Sequence, residues 1–259
     1  MPEIAIELKL IKRLCRRTYL ASYPDELWTL YPLNRASFAR FLHPFIRVIL
    51  ILIQRSKSKM AEKNSIQRID SDLELTQSIF STIVSELPSF EIASHESLPF
   101  GLKPHTRSVS WLVEQVLVQK AKSLTKELGL TAVNYDLPDT ELHDLEIKIG
   151  DKTLYVNVKC HQAEKKPNKN DISAVVKLYK RYQEQPNYDL VFAAVGIKFE
   201  DRRVVFMPDH VHCFSPQFLP IYVNPTNDKI QAFYNHPPEK RSRQEFLELL
   251  RSSSRTLKL

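Results

Sequence analysis

The sequence predicts an α/β fold in which a central mixed β-sheet is flanked by helices. Two observations carry this prediction. From residue 70 onward, the pattern of apolar residues gives the order helix, strand, strand, helix, strand. Residues 188–199, YDLVFAAVGIKF, form a nearly continuous apolar run of strand length. Such a run is typical of a strand that is buried on both faces of a sheet.

Helices are expected where apolar residues recur at helical spacing and a capping or stop residue bounds the pattern. The pattern predicts helices over residues 70–87, 108–128, 171–182 and 243–250. Asp171 is the expected N-cap of the third helix, and Gly129 lies where the second should stop. The expected apolar face of the second helix consists of Trp111, Leu112, Leu117, Val118, Leu124 and Leu128.

Two β-hairpins are expected. Residues 142–162, LHDLEIKIGDKTLYVNVKCHQ, contain two alternating segments on either side of Gly150-Asp151, a dipeptide suited to a two-residue turn. If Ile149 pairs with Lys152, Asp144 lies opposite Asn157. A second hairpin is expected to turn through Asp201-Arg202.

Alternation separates the two faces of the first hairpin. One face is apolar and predicts a core: Leu145, Ile147, Ile149, Leu154, Val156 and Val158. The other face carries Asp144, Glu146, Asn157 and Lys159. Charged residues in this pattern also describe the wetted face of an ordinary antiparallel sheet, so the pattern alone leaves both interpretations open.

Composition excludes several classes of function. The three cysteines are far apart and form no CxxC pair, which argues against a disulfide framework and a structural zinc site. With four glycines, neither GxGxxG nor GxxxxGK[ST] can be written, so no nucleotide cofactor is expected. His210, His212 and Cys213 are close in sequence, but no fourth ligand is suitably spaced to predict a metal centre.

The first quarter of the chain differs from the rest. Residues 1–59 hold eleven Lys/Arg and four Asp/Glu, a net +7 that equals the charge of the whole chain. The apolar run 45–53 is too short to span a membrane, so no membrane partner is expected. We expect residues 1–59 to be a basic N-terminal extension and favour an upstream stretch that precedes a working initiator at Met60. A DNA-binding arm and a membrane-surface or partner helix are the alternatives. Residues 60–259 are expected to form a single domain.

The polar face of the hairpin fits phosphodiester hydrolysis. Asp144 supplies a carboxylate, Asn157 an amide oxygen and Val158 a main-chain carbonyl, which are the hard oxygen ligands that Mg²⁺ prefers. Lys159 points the same way as Asn157 and supplies a cation that can orient water or stabilise developing negative charge.

Asp144, an aliphatic strand and Asn157-Val-Lys159 together resemble the PD-(D/E)xK nuclease superfamily, and in particular its type II restriction endonucleases. The similarity covers about residues 105–200 and includes the basic loop and the helix after the hairpin. It implies a restriction-endonuclease-like fold, with Asp144 as the first metal-binding acid and Lys159 as the catalytic lysine. Asn157 departs from the family, which has Asp or Glu at this position. Pro138-Asp139 also spells the start of the motif, but Asp139 would lie beyond the paired strand.

The resemblance implies further residues. Many members add a glutamate from the preceding helix, for which Glu114 is the candidate; an ordinary solvated glutamate is the alternative. Candidate DNA contacts, each also readable as an ordinary surface group, are His161, Gln162, Lys165, Lys166, Lys169, Arg241 and Arg243.

Together these features predict a Mg²⁺-dependent type II restriction endonuclease. It would be a bacterial cytoplasmic enzyme that cleaves double-stranded DNA at a short specific sequence, as a homodimer. Two alternatives stay open: a repair or junction-resolving nuclease of the same fold, and a catalytically inactive DNA-binding protein that lacks an acid at Asn157.

Overall fold

A mixed six-stranded sheet lies at the centre of the residues that the computed structural model describes. These residues are 62–87, 89–101, 106–138, 140–165, 170–233 and 236–258. They belong to one compact unit, Lys59–Leu259. The predicted N-terminal extension, residues 1–59, and Asp139 lie outside the described residues.

The strands of the central sheet are β1 (Ser89–Glu91), β2 (Ala132–Asn134), β3 (Leu145–Ile149), β4 (Lys152–Gln162), β6 (Leu190–Glu200) and β7 (Arg203–Phe214). Their order across the sheet is β1-β7-β6-β4-β3-β2. The central pair, β4 and β6, is parallel, and every other pair is antiparallel. A parallel pair needs a long crossover connection, and the segment between β4 and β6 supplies it.

The predicted hairpin register is confirmed for residues 145–149 paired with residues 152–156, whereas the predicted pair of Asp144 and Asn157 is not part of the ladder. Ile149 pairs with Lys152 and Leu145 with Val156, around a turn in which Gly150 has a φ of 57°. That left-handed conformation is one that glycine adopts without steric cost, so Gly150-Asp151 fixes the register. The second hairpin is confirmed as well, and its second strand, β7, extends to Phe214.

Strand β6 is buried on both faces, as its apolar run predicts. Ala193, Val195 and Ile197 face one hydrophobic cluster, whereas Phe192 and Ala194 face another. Apolar groups therefore cover the middle of the sheet on both sides.

Helices α1 (described over residues 62–85) and α2 (Thr106–Ser123) supply the first hydrophobic cluster. Within α2, Val109, Val113 and Leu117 form the buried stripe. Trp111 was expected on this face, and that prediction is wrong, because its side chain is 70% exposed. Two residues turn a helix by about 200°, which places Trp111 opposite Val113.

Helices α3 (Val175–Glu184) and α4 (Arg243–Ser253) cover the other side of the sheet. They pack with a second sheet in the order β5-β9-β8, whose strands are β5 (Asn170–Ala174), β8 (Ile221–Val223) and β9 (Lys229–Ala232). The prediction that Asp171 caps α3 is wrong, because residues 170–174 pair with β9 and the helix begins at Val175. The predicted last helix is confirmed, and Ser242 and Glu245 form a capping box at its start.

The chain therefore has the predicted fold class, an α/β architecture with a mixed sheet flanked by helices. Within the described part of the chain, no helix is long and apolar enough to cross a membrane.

Candidate active site

The candidate site forms where β3 separates from β4. The main-chain N–H of Asp144 donates to the Val156 carbonyl over 2.9 Å. Val156 already pairs with Leu145, so Asp144 lies outside the regular β3–β4 ladder and does not pair with Asn157 as the sequence predicted. Beyond it, the Asp144 carboxylate replaces the missing strand and accepts a hydrogen bond from the Val158 N–H over 2.6 Å. In a β-strand the N–H and C=O of one residue point to the same edge. The Val158 carbonyl therefore faces the edge where Asp144 lies.

Asn157 is buried beside this edge, with 8% of its surface exposed. Its Nδ2 donates to the Leu142 carbonyl over 3.1 Å, which fixes the orientation of the amide. Its Oδ1 is buried and has no hydrogen-bond partner among the described residues. Leaving a buried acceptor unpaired costs about 1–3 kcal/mol of stability. This oxygen is therefore suited to bind a cation or to accept a hydrogen bond from a ligand.

Glu114 of α2 shares an electrostatic environment with Asp144 and Lys159. The pKa of Glu114 is raised to about 7, mainly by burial and also by the Asp144 carboxylate, against the opposing effect of the Lys159 ammonium. Burial also raises the pKa of Asp144, against the opposing effects of Lys159 and the Val158 N–H. Helix α2 packs against β4. The structure thus brings together the three charged groups that the sequence analysis singled out.

A buried polar network anchors the segment that carries Asp144. The imidazole of His143 lies 3.2 Å from the Tyr188 hydroxyl and 3.4 Å from the Glu146 carboxylate. Arg181 of α3 pairs with Glu141 over 2.6 Å. Burial lowers the pKa of His143, although both nearby carboxylates act in the opposite direction. The sequence analysis missed this network; the only signal was the position of His143 beside Asp144.

The donor set can be compared with what a cation requires. Asp144, Asn157 and Val158 offer three oxygen donors of the kind that Mg²⁺ binds, and Mg²⁺ in proteins keeps several waters and needs few protein ligands. Only one of these donors is a carboxylate. Among the described residues, no group of three or more His, Cys, Asp or Glu side chains could hold a metal ion. The set therefore fits a hard cation held through few charges, and the unpaired Asn157 Oδ1 is the observation that favours it.

The candidate DNA contacts occupy different environments. His161 and Gln162 end β4 beyond Lys159, and Lys165 is exposed in the turn that follows. Lys166 and Lys169 lie outside the described residues. The guanidinium of Arg241 donates to the carbonyls of Gln217 and Leu219 and pairs with Glu239.

Arg243 is also engaged within the fold. It bonds the carbonyls of Tyr182 and Tyr188 and pairs with Asp189 over 2.9 Å. Asp189, which is 3% exposed, also pairs with Arg68 of α1. The guanidinium groups of Arg241 and Arg243 thus join separate segments of the protein.

Comparison with known proteins adds no relative. No protein-family model matches the chain, and no curated protein matches it either.

Proposed function

We propose that the chain is a Mg²⁺-dependent endonuclease that hydrolyses phosphodiester bonds in double-stranded DNA, of the type II restriction class. One observation carries the proposal. Where β3 leaves β4, the Asp144 carboxylate is bonded to the main chain between Asn157 and Lys159, and it influences the pKa of Glu114 on α2, as Lys159 also does. The resemblance to the PD-(D/E)xK nucleases implies this group of residues.

The order of elements supports the same proposal. A helix that carries Glu114 precedes β2, β3 and β4, and a crossover with α3 leads to β6, which is parallel to β4. A polar segment and a helix after the hairpin, followed by a buried strand, are what the resemblance implies. The fold class is compatible with many functions, so the proposal rests on the site.

In the proposed reaction, Asp144, Asn157 and Val158 would hold Mg²⁺. When bound, this ion neutralises charge that develops on the phosphate and acidifies water. The Lys159 ammonium would donate hydrogen bonds to a phosphate oxygen or to the attacking water and fix its orientation. Glu114, with a pKa of about 7, can accept or release a proton near neutral pH. The Val158 N–H holds one Asp144 oxygen in place and leaves the other available.

A homodimer follows from the proposed class, because two-fold protein symmetry matches a palindromic DNA site. Analytical ultracentrifugation with a duplex that contains the cleavage site tests this part separately. Two chains bound per duplex are expected, and one chain per duplex would contradict the dimer.

The primary test is digestion of long unmethylated duplex DNA with Mg²⁺ by wild-type protein, Asp144→Ala and Lys159→Ala. Glu248→Ala, an exposed acid on α4, serves as a matched control that should cut normally. Discrete fragments that disappear in both site variants are expected. Cutting at branched junctions without sequence preference would favour a junction-resolving nuclease.

An inactive DNA-binding protein is a second candidate, favoured by the neutral amide of Asn157. Under that alternative, folded wild-type protein binds duplex DNA and does not cut it with Mg²⁺ or Mn²⁺. Activity that first appears in Asn157→Asp would then show that an acid had been lost. If the wild type already cuts DNA and Asn157→Asp binds Mg²⁺ more tightly than the wild type does, the result would instead support a variant catalytic site.

A further inference from the structure

Polar residues continue beyond Lys159 in two rows across β4, β6 and β7. Lys159 pairs with Ala194, which in turn pairs with His212. In the next row, His161 pairs with Gly196. Side chains paired across adjacent strands lie on the same face. In these two rows β6 contributes only the methyl group of Ala194 and the hydrogen of Gly196, and the larger polar side chains lie on the neighbouring strands.

A bulge in β7 adds a third imidazole. Pairing between β6 and β7 shifts between Val195 and Ile197, so that four residues, Met207–His210, lie opposite Gly196. A Cβ at Gly196 would be 2.3 Å from the Cβ of His210, closer than two carbons can approach. Glycine is thus required for His210 to lie against β6. Bulges of this kind re-aim side chains and are frequent next to active sites.

The imidazoles influence one another. The rings of His161 and His212 are stacked, with centroids 6.1 Å apart. Burial, together with smaller effects of His212 and His210, lowers the pKa of His161 to about 4. Burial and His210 likewise lower the pKa of His212. Positive charge on His161 and His212 is therefore disfavoured in the free protein, and a bound anion would favour it.

We propose that His161, His210 and His212 form a binding site for a phosphate of the DNA strand being cut, one row from Lys159. This inference rests on the proposed function, because it assigns these residues to the same substrate. Alternate residues of a strand are about 6.6 Å apart, so the site lies a short step along β4 from the ammonium that would contact the scissile phosphate.

The chemistry of the cluster favours a phosphate. Imidazole N–H groups donate hydrogen bonds to phosphate oxygens, and the groups that shift the pKa of His161 are other histidines rather than carboxylates. A metal is not favoured, because no described group of His, Cys, Asp and Glu could hold one. Ala194 and Gly196 of β6 are buried, whereas His212 is exposed and His161 and His210 are half-buried, so the imidazoles are the groups that a DNA strand can reach.

Binding of a fluorescent 30-base-pair duplex, measured by anisotropy in EDTA, tests the site in full-length protein without cleavage. His161→Ala and His212→Ala should each weaken binding by at least about tenfold, the loss expected for one hydrogen bond to a charged group. His236→Ala, an exposed histidine outside the cluster, should bind like wild type. Circular dichroism and urea midpoints establish that each variant is folded.

A second measurement separates this inference from the proposed function. In wild-type protein, added inorganic phosphate should shift the NMR resonances of His161, His210 and His212 and leave His236 unchanged. Normal DNA affinity in both alanine variants would overturn the phosphate site and leave the nuclease proposal intact. Phosphate-dependent shifts in a protein that does not bind DNA would support the site and contradict the nuclease. No shifts in a DNA-binding wild type would overturn the site.

Discussion

Replacing Asn157 with Asp tests how the buried amide is used. In the wild type, Nδ2 donates to the Leu142 carbonyl, whereas Oδ1 has no partner among the described residues. An ionised carboxylate at this position cannot donate, so the Leu142 carbonyl would lose its partner. It would also be a second acid close to Asp144, whose own pKa is already raised by burial. A protonated carboxyl, in contrast, keeps one O–H donor for the Leu142 carbonyl.

The expected loss depends on pH. Leaving the buried carbonyl unpaired costs about 1–3 kcal/mol, and repulsion by Asp144 adds to it. A total of about 3 kcal/mol corresponds to raising the pKa of the new carboxyl by about two units, from about 4 when unfolded to about 6 when folded. Because the folded state then binds the proton more tightly, stability is retained below about pH 4 and falls as pH rises from about 4 to about 6.

Urea unfolding followed by circular dichroism, at pH 4.5 and pH 8, measures this effect. Asn157→Asp should lose less than about 1 kcal/mol relative to wild type at pH 4.5 and about 3 kcal/mol at pH 8. Asn64→Asp is the matched control, an exposed asparagine on α1. It should change stability by less than about 0.5 kcal/mol at either pH.

Two results would refute the reasoning. An equal loss at both pH values, or no loss at either, would mean that the Asn157 amide does not support the Leu142 carbonyl. Added Mg²⁺ tests the metal separately: at ten times its Kd it should return about 1.4 kcal/mol to the variant at pH 8. A pH-dependent loss that Mg²⁺ does not reduce would reject a cation at this position.

Three further predictions concern other parts of the molecule. Because the pKa of Glu114 is about 7, the initial rate of DNA cleavage should rise with pH through neutrality in the wild type and not in Glu114→Gln. If the cleavage rates of the two proteins change with pH in the same way, Glu114 does not belong to the site. Gly196→Ala should lower stability by about 1–3 kcal/mol, because its methyl group would collide with His210; an unchanged urea midpoint would contradict this contact. Arg243→Ala should cost about 2–3 kcal/mol, since it removes one of the two cations paired with the buried Asp189 and leaves Arg68 as its partner. Lys240→Ala, which removes an exposed pair, should cost less than about 1 kcal/mol. Similar losses in the two variants would argue against this difference.

Local signals were sufficient to predict the hairpin that carries the site. Gly150-Asp151 fixes the turn, and a shift of one residue would move Val156 and Val158 out of the core. The register was therefore determined by the alternation itself. The same alternation left open whether the polar face of the hairpin is exposed to solvent. In the structure this face is partly buried, because Tyr155 packs against the second cluster and Asn157 is buried.

Features that depend on distant partners could not be predicted. Residues 170–174 form a strand because β9 pairs with them. A local sequence pattern cannot predict a partner that lies about sixty residues away. The same holds for His143, whose hydroxyl partner, Tyr188, comes from the far side of the crossover. Trp111 shows the converse case, in which a strongly apolar residue is exposed because Val113 and Leu117 already fill the core.

The position of Asn157 explains why an amide is compatible with this site. Asn157 pairs with Phe192, which is 1% exposed and stacks on Phe214, whereas the next row along β4 pairs Lys159 with Ala194 and His212. Asn157 thus lies in the last row before the apolar cluster gives way to polar groups. A carboxylate there would be desolvated on its Phe192 side and next to Asp144, and only a bound cation would offset both effects. An amide avoids the desolvation of a charge and still presents an oxygen. We therefore expect Asn157→Asp to strengthen cation binding and to weaken the metal-free fold through the same carboxylate, so that the two effects appear together or not at all.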